Sequence, residues 1–304
     1  MAESVEAGIQ QVLEAVGVTG FVHARAIDDH RQVALRADEP VVMASVFKIA
    51  VCLELFRQAA TGEVDLAERH QVPAASRSPG PVGLSVMAYD AELSLHDLAY
   101  LMMAISDNAA TDLIIARVGL ARINATLHSL GLERTVLAGG CADIVQAITE
   151  ATGVSSLDAV PSVEDPEVRQ RLLACRALDP STTTRTTPRE LTRLLAMIWR
   201  GEAGLPAGDN GVRWGMAQQL CQARIAGAFP YPPWVGAKSG SLLPDVVNEA
   251  AVVDYLDGRR YAVAVFTRRQ PVGPPTPGQP RGAIGRAIGR VARIAVEHLA
   301  RTRL

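Results

Sequence analysis

The sequence predicts an α/β (α+β) fold in which an antiparallel sheet is flanked by N- and C-terminal helices and joined to an all-helical lobe. Strand-like segments rich in β-branched residues occur near both ends of the chain, at 20–37 and 233–268. Between them, apolar residues recur mainly at helical spacing. Amphipathic patterns at 2–16 and 282–302 predict terminal helices that cover the sheet.

The interval between the strands contains six candidate helices. They span 45–60, 94–105, 108–117, 121–130, 187–201 and 212–223. A capping box, "SLHD", begins the second helix, and Pro188 after Thr187 begins the fifth. The stretch 136–186 is rich in Gly, Pro, Ser and Thr and predicts a loop.

These elements predict two interleaved domains. The sheet domain is discontinuous and takes residues 1–40 and 205–304, whereas 41–204 form the helical domain. Because the chain crosses twice between them, we expect the functional site to lie at their boundary.

Composition describes an ordinary globular chain of 304 residues, 48% hydrophobic, with a formal net charge of -2. A nearly neutral chain gives no reason to expect nucleic acid as a partner. No apolar run approaches the roughly 18 residues of a membrane span, so we expect no membrane partner either. The acidic N-terminal stretch lacks the basic region of a signal peptide, which predicts a cytoplasmic protein, and we expect a monomer.

The cysteines, histidines and lysines of the chain indicate which kinds of catalytic or binding site are to be expected. Four cysteines and six histidines show none of the spacings typical of metal sites, so we expect no metal and no cofactor. Of 30 basic residues, only Lys48 and Lys238 are lysines. Arginine keeps its charge in proteins, whereas a buried lysine can lose its proton and act as a base. The two lysines therefore mark candidate functional positions.

The segment "VVMASVFKIAVCLELF" at 41–56 places Ser45 and Lys48 three residues apart in a helix that is otherwise apolar. Both side chains then face the same side of the helix. A serine needs a nearby base to become a nucleophile, and a desolvated lysine can serve as that base. The alternative is an ordinary helix start, with Ser45 as a cap and the Lys48 amine extended to solvent.

Two further segments carry polar residues at breaks in apolar elements. "AISDNAATDLI" contains Ser106, Asp107 and Asn108 between two helices, and "VGAKSGSLL" contains Lys238, Ser239 and Gly240 at the end of a strand. Alone, each is a polar turn. Together with Ser45 and Lys48 they form S-x-x-K, S-D-N and K-S-G, the three-part signature of serine β-lactamases and penicillin-binding proteins.

The sequence resembles the class A β-lactamase branch of this superfamily over most of its length. "TTTRTTPRELTRLL" and "VVNEAAVVDYLDGRRYAVAVFT" resemble two further family segments. The resemblance implies a β-lactamase/transpeptidase-like fold and a covalent acyl-enzyme. It assigns attack on a carbonyl to Ser45 and acceptance of the Ser45 proton to Lys48. Ser106, helped by Lys238, passes a proton to the departing atom.

The resemblance also implies a set of substrate-binding residues. Asn108 donates to the substrate's amide, and the backbone N–H groups of Ser45 and Ser241 form an oxyanion hole. The K-S-G segment, Lys238, Ser239 and Gly240, binds a carboxylate of a small-molecule substrate. Arg224 is placed against the same carboxylate, and the alternative for Arg224 is a surface position at a helix end.

One family motif is missing. The family carries E-x-x-L-N between S-D-N and T-T-P, and its Glu activates the water that hydrolyses the acyl-enzyme; this sequence has no such motif, and the loop 136–186 is rebuilt. We interpret Glu150, Glu164 and Glu167 as surface carboxylates, the alternative being a replacement base. Counting forward from "LERTVL" leads to Cys141, which we interpret as a chance thiol rather than a group near the pocket.

The sequence therefore predicts a serine β-lactamase-like hydrolase that acts on a β-lactam or a related cyclic amide or ester. Two alternatives stay open, because forming an acyl-enzyme and hydrolysing it need separate proton handling. One is a transacylase or esterase that uses the same acyl-enzyme. The other is a penicillin-binding-type protein that is acylated without turnover.

Overall fold

A computed structural model describes residues 4–163, 165–243, 246–269 and 281–301. The strands are β1 Val18–Ala26, β2 Gln32–Leu35, β3 Val41–Val42, β4 Arg69–Val72, β5 Ala91–Ser94, β6 Arg185–Thr186, β7 Trp234–Leu242, β8 Val246–Asp254 and β9 Arg260–Arg269. Five of them form one antiparallel sheet in the order β2-β1-β9-β8-β7. The prediction of one sheet built from both ends of the chain is confirmed.

The helices are α1 Val5–Glu14, α2 Lys48–Ala60, α3 Leu95–Ala104, α4 Asn108–Val118, α5 Leu120–Ser129, α6 Cys141–Thr152, α7 Pro166–Leu173, α8 Pro188–Arg200, α9 Pro206–Ala217, α10 Ile225–Ala228 and α11 Arg281–Arg301. The terminal helices α1 and α11 pack together on one face of the sheet, as predicted. Within the described ranges, no helix combines the length and apolarity needed to cross a membrane.

The other face of the sheet supports the helical lobe. Helix α8 packs on β1 and β9, and the largely buried helix α2 runs through the middle of the lobe. Side chains from the sheet and from both helices share one apolar core, which includes Phe266, Leu195 and Leu53. This shared core fixes the lobe against the sheet, and it positions the segment Ala44–Phe47, which leads into α2, beside β7.

The lobe is not all-helical, which corrects the prediction. Two short antiparallel ladders lie within 41–204, one between β3 and β6 and one between β4 and β5. Extended segments that cross the lobe must still satisfy their backbone N–H and C=O groups, and pairing does so. Helix α9, predicted as part of the sheet domain, packs on α2 and α3 as well as on β7. The division into two domains stays a prediction.

The prediction of a loop over 136–186 is wrong, because the segment contains α6 and α7. The Asp143 carboxylate accepts the Gly140 N–H at 2.8 Å and so caps α6. Asp165 caps α7, whose first residue is Pro166. The helix predicted at 212–223 also begins earlier, at Pro206, since proline suits a first helical position.

Candidate active site

Ser45 and Lys48 lie at the junction of two helical segments. A 3-10 turn covers Ala44–Phe47 and continues into α2 at Lys48, so the predicted α-helix does not include Ser45. Side chains three residues apart eclipse one another in 3-10 geometry, which directs both groups to the same side. Ala44 has a φ of 47°, a left-handed conformation that non-glycine residues adopt only where the surroundings hold it.

Lys48 is fully buried, so the alternative in which its amine extends to solvent is wrong. Its Nζ donates to the Ser106 carbonyl oxygen at 2.6 Å and to Asn108 Oδ1 at 3.1 Å. Nζ also lies 3.2 Å from Ser106 Oγ. A proton can therefore pass between the Lys48 amine and the Ser106 hydroxyl without an intervening group.

The S-D-N segment is a tight turn between α3 and α4. Ser106 has a φ of 64°, a second left-handed residue beside the site. Asp107 caps α4 by accepting the Ala110 N–H at 3.1 Å, and it also accepts the Leu84 N–H at 2.6 Å. The turn thereby presents the side chains of Ser106 and Asn108, while Asp107 is structural.

The K-S-G segment lies on β7, which is an edge strand of the sheet. A Cβ on Gly240 would lie 2.9 Å from the Met43 carbonyl oxygen, so glycine allows the strand to approach the start of α2. The Ser239 N–H donates to the side-chain oxygen of Gln219 and not to β8. Because backbone groups alternate along a strand, the N–H of Ser241 faces the same free edge.

Arg224 reaches β7 from the start of α10. Its guanidinium donates to the carbonyl oxygens of Gly240 at 3.1 Å and Asn248 at 2.6 Å, and to Ser241 Oγ at 2.7 Å. Three hydrogen bonds hold the side chain against the strand, unlike a free surface arginine at a helix end. Arg224 therefore brings a permanent positive charge to the end of β7.

A buried polar pair that sequence analysis missed supports this strand. Glu249 lies opposite Ser239 on β8 and accepts from Gln219 Nε2 at 2.9 Å and from the Ile225 N–H at 2.5 Å. Burial raises the pKa of Glu249. Gln219 joins this carboxyl to the edge of β7. The available signal was the polar pair Asn248 and Glu249 at the start of an otherwise apolar strand.

Burial disfavours the charged forms of both lysines. It lowers the pKa of Lys48, although Cys141, Asp107 and Asp112 act in the opposite direction. It also lowers the pKa of Lys238 well below its usual value, and the charge of Lys48 lowers that pKa further. An amine with a lowered pKa has a larger neutral fraction and can accept a proton from a hydroxyl.

One cavity of about 570 Å³ brings the three predicted segments together. Its wall includes polar residues from each of them. These residues are Ser45, Ser106, Asn108, Ser239, Gly240 and Ser241. Lys48 contacts the Ser106 turn from within the protein, and Lys238 is fully buried on β7. The cavity therefore lies between the sheet and the helical lobe.

Cys141, the first residue of α6, also lines this cavity, so its interpretation as a chance thiol away from the pocket is wrong. The Asp112 carboxylate accepts the N–H groups of Cys141 at 2.6 Å and Ala142 at 2.8 Å, which fixes this end of α6. Cys141 and Lys48 are close enough to shift each other's pKa. Burial raises the pKa of the Cys141 thiol to about 11, so near neutral pH the group is an uncharged thiol.

Two of the candidate replacement bases, Glu150 and Glu167, do not line the cavity. Glu150 is exposed and accepts from Gln146 at 2.7 Å, and Glu167 is exposed in the first turn of α7. Their interpretation as surface carboxylates is confirmed, whereas Glu164 lies outside the described residues. Asp158, which sequence analysis did not single out, is exposed and lines the cavity. In the described part of the chain, no group of three or more His, Cys, Asp or Glu side chains is arranged to hold a metal ion.

Comparison with known proteins agrees with this geometry. The profile of the β-lactamase enzyme family matches residues 4–299. The chain belongs to the β-lactamase enzyme family. The resemblance drawn from the three motifs and the predicted fold class are both confirmed.

Proteins that resemble the chain carry different descriptions. The β-lactamase regulatory protein BlaB of Streptomyces cacaoi is 26% identical over 294 residues, which cover 91% of this chain and 93% of BlaB. The β-lactamase of Sphaerobacter thermophilus is 25% identical, with a TM-score of 0.76, and covers 98% of this chain and 97% of its own. PBP-A shares the fold at 22% identity, with a TM-score of 0.74 over 97% of this chain and 96% of its own. Membership of the family supports a β-lactamase-like function, whereas the likeness to PBP-A shows the fold.

Proposed function

We propose that Ser45 is acylated by a β-lactam, or by a related cyclic amide or ester, that carries a carboxylate. The observation that carries the proposal is the meeting of Ser45 and Ser106 at one cavity wall, with the Lys48 amine 3.2 Å from Ser106 Oγ. Membership of the β-lactamase enzyme family supports it.

The proposed acylation transfers one proton from Ser45 to the substrate nitrogen by way of Lys48 and Ser106. Ser45 Oγ attacks the carbonyl carbon, and its proton passes to the neutral Lys48 amine. The ring C–N bond then breaks, and the nitrogen takes a proton from Ser106, which recovers one from Lys48. The product is a serine ester, no water is consumed, and Lys48 is neutral again.

The backbone stabilises the charge that develops during this step. The N–H groups of Ser45 and Ser241 donate to the oxygen of the attacked carbonyl. Removing one such donor typically costs about 10²–10³ in rate. Gly240 matters here because β7 packs closely against Met43 and Val46 on either side of Ser45. A Cβ on Gly240 would lie 2.9 Å from the Met43 carbonyl oxygen.

The substrate's remaining polar groups bind on either side of Ser45. The carboxylate binds at Ser239, Lys238 and Arg224, where Arg224 supplies the permanent charge. A bound anion favours the ammonium form, so binding raises the pKa of Lys238 back toward its usual value. Asn108 binds the amide of the acyl group.

A second candidate function, acylation with slow turnover, is favoured by Cys141. Hydrolysis of the ester needs a base that takes a proton from water. The group that adjoins Lys48 from α6 is the Cys141 thiol, whose pKa of about 11 makes it a poor proton acceptor near neutral pH. BlaB is described as a β-lactamase regulatory protein, and a persistent acyl form suits a protein that reports the presence of a β-lactam.

Rapid mixing with a chromogenic cephalosporin tests both candidates. Acylation of Ser45 predicts a burst of opened chromophore equal in amount to the protein. A continuing linear phase after the burst supports a hydrolase, and a burst without such a phase supports the slow-turnover protein. A trace without a burst or a linear phase contradicts acylation at Ser45.

A further inference from the structure

Asn248 is a fully buried side chain on the largely apolar strand β8, opposite Gly240 of β7. Its Nδ2 donates to the carbonyl oxygens of Val42 at 2.9 Å and Met43 at 3.3 Å. Its Oδ1 accepts the Thr267 N–H at 3.1 Å. The amide nitrogen and the amide oxygen of Asn248 are therefore both bonded to the backbone of other strands and loops.

Only one orientation of this amide satisfies the three contacts. The two carbonyl groups can only accept hydrogen bonds, and the Thr267 N–H can only donate one. Exchanging the amide nitrogen and oxygen would place acceptor against acceptor and donor against donor. The side chain is therefore a fixed pair of N–H donors that joins β8 to the segment before Ser45.

The two carbonyl groups belong to the two peptide units that precede the nucleophile. The unit between Val42 and Met43 is also held on its other side, because the Met43 N–H donates to the Thr184 carbonyl oxygen at 3.2 Å. The next unit, between Met43 and Ala44, is held through the Met43 carbonyl group. Because peptide units are planar, the direction of the following Ser45 N–H then depends on the φ and ψ angles of Ala44.

Ala44 itself has an unfavourable backbone conformation. Its φ is 47°, and a left-handed residue with a Cβ persists only where neighbouring contacts hold it. The free-energy cost of such a residue is similar to the contribution of one or two hydrogen bonds. Loss of the Asn248 amide would release the two peptide units before Ala44, and the Ser45 N–H would lose its fixed direction.

We propose that Asn248 is a positioning residue for the oxyanion hole: its amide holds the Val42 and Met43 carbonyl groups and thereby aims the Ser45 N–H at the oxygen of the attacked carbonyl. The inference rests on the acylation of Ser45 proposed above. Asn248 does not line the cavity, so it acts without touching the substrate. A misdirected donor stabilises the developing charge less, so the effect falls on the acylation rate and not on substrate binding.

Asn248→Leu replaces the amide by an apolar side chain of similar size. Rapid mixing with increasing concentrations of a chromogenic cephalosporin separates the limiting rate of acylation from the concentration that gives half of that rate. We expect the limiting rate to fall about tenfold, which is part of the factor of about 10²–10³ that loss of a whole oxyanion-hole donor costs. The half-saturating concentration should stay unchanged.

The ester carbonyl of the acylated protein gives a second readout, which a merely structural role would not change. Hydrogen bonds to a carbonyl oxygen lower its infrared stretching frequency. The protein is acylated by a β-lactam that carries carbon-13 at the lactam carbonyl, so that the ester band can be assigned. In Asn248→Leu this band should lie at higher wavenumber than in the wild type.

Asn124→Leu is the matched control. The Asn124 amide also bonds backbone groups, since it donates to the Leu137 carbonyl oxygen and accepts the Leu137 N–H, both at 2.9 Å. Asn124 does not line the cavity, and its variant should lose thermal stability without a change in acylation rate or ester band. If Asn248→Leu does not fold, Asn248→Ser takes its place, because the serine hydroxyl ends one bond short of the amide nitrogen.

The outcomes separate the positioning role from the acylation. A wild-type limiting rate in a folded Asn248 variant overturns the positioning role and leaves the acylation intact. A slower rate with an unshifted ester band, or an equal loss of rate in Asn124→Leu, overturns the positioning role as well, because the effect is then a general loosening of the protein. Absence of labelling in the wild type overturns the acylation, and the positioning role with it.

Discussion

The two sides of the cavity at Ser45 differ in what they require of their residues. On the side formed by the S-x-x-K, S-D-N and K-S-G segments, here called the motif side, the proposed reaction requires a proton loss from Lys48 and a hydroxyl on Ser106. A Cβ on Gly240 would lie 2.9 Å from the Met43 carbonyl oxygen. On the α6 side, Ile144 and Ile148 line the cavity with apolar side chains. The residues of the motif side are chosen for the chemistry of their side chains, and those of the α6 side for size and apolar character.

The difference extends to proton transfer. On the motif side, the Lys48 amine and the Ser106 hydroxyl lie 3.2 Å apart, and the proposed acylation of Ser45 uses both groups. The α6 side offers Cys141, an uncharged thiol whose pKa is raised to about 11. We therefore expect the acyl-enzyme to form faster than it is hydrolysed, and the predictions below test each side in turn.

The largest effect is expected from Ser45→Ala. The variant lacks the nucleophile, so covalent labelling by a β-lactam should disappear, as measured by intact-protein mass. Ser181→Ala removes an exposed hydroxyl outside the cavity and should label at the wild-type rate. An undiminished adduct in the Ser45 variant would place the nucleophile elsewhere.

Lys48→Arg keeps the charge and removes the ability to lose a proton. The labelling rate should fall about 10²–10⁴-fold, the usual contribution of a general base. In the wild type, the rate should rise with pH through the lowered pKa of Lys48, because the neutral amine is the active form. A pH profile that is flat, or that rises equally in the Arg variant, would exclude Lys48 as the base.

Cys141→Asp changes the α6 side and should act on the second half-reaction. An aspartate beside Lys48 can accept a proton from water, so the lifetime of the Ser45 adduct should shorten about 10²-fold. Cys141→Asn has the same shape without a basic carboxylate and serves as the control. Equal adduct lifetimes in the two variants would show that a base at this position does not limit hydrolysis.

Arg224→Gln should produce the smallest of these effects. Loss of one charged hydrogen bond to the substrate carboxylate costs about 1.5 kcal/mol, so the labelling rate should fall about tenfold. The methyl ester of the same β-lactam lacks that charge and should react equally with both proteins. A tenfold loss with the ester too would indicate that Arg224 acts through the structure of β7 instead.

The residues of the motif side could be predicted from the sequence because the proposed chemistry requires particular residue types. Only two lysines occur in the chain, and both lie on motif segments. Periodicity likewise predicted the sheet and the terminal helices, because burial of one face imposes regular spacing. The family was predicted from the resemblance of the S-x-x-K, S-D-N and K-S-G segments to the signature of serine β-lactamases and penicillin-binding proteins.

The α6 side of the cavity could not be predicted from the sequence, because contacts between residues far apart in the chain form it. Glycines before Cys141 favour a loop locally, yet Asp112 holds the start of α6 from 29 residues away. The pairing of Gln219 with Glu249 likewise joins residues 30 positions apart. The polar residues Asn248 and Glu249 stand out in their strand, but no local pattern in the sequence indicates the distant partner in either contact.

The most direct test of the account is intact-protein mass spectrometry after mixing with benzylpenicillin, followed by peptide mapping. Because the opened ring stays joined to the acyl group, the protein should gain the mass of the whole molecule, on the peptide that contains Ser45. An unmodified protein, or an adduct on any other residue, would contradict it.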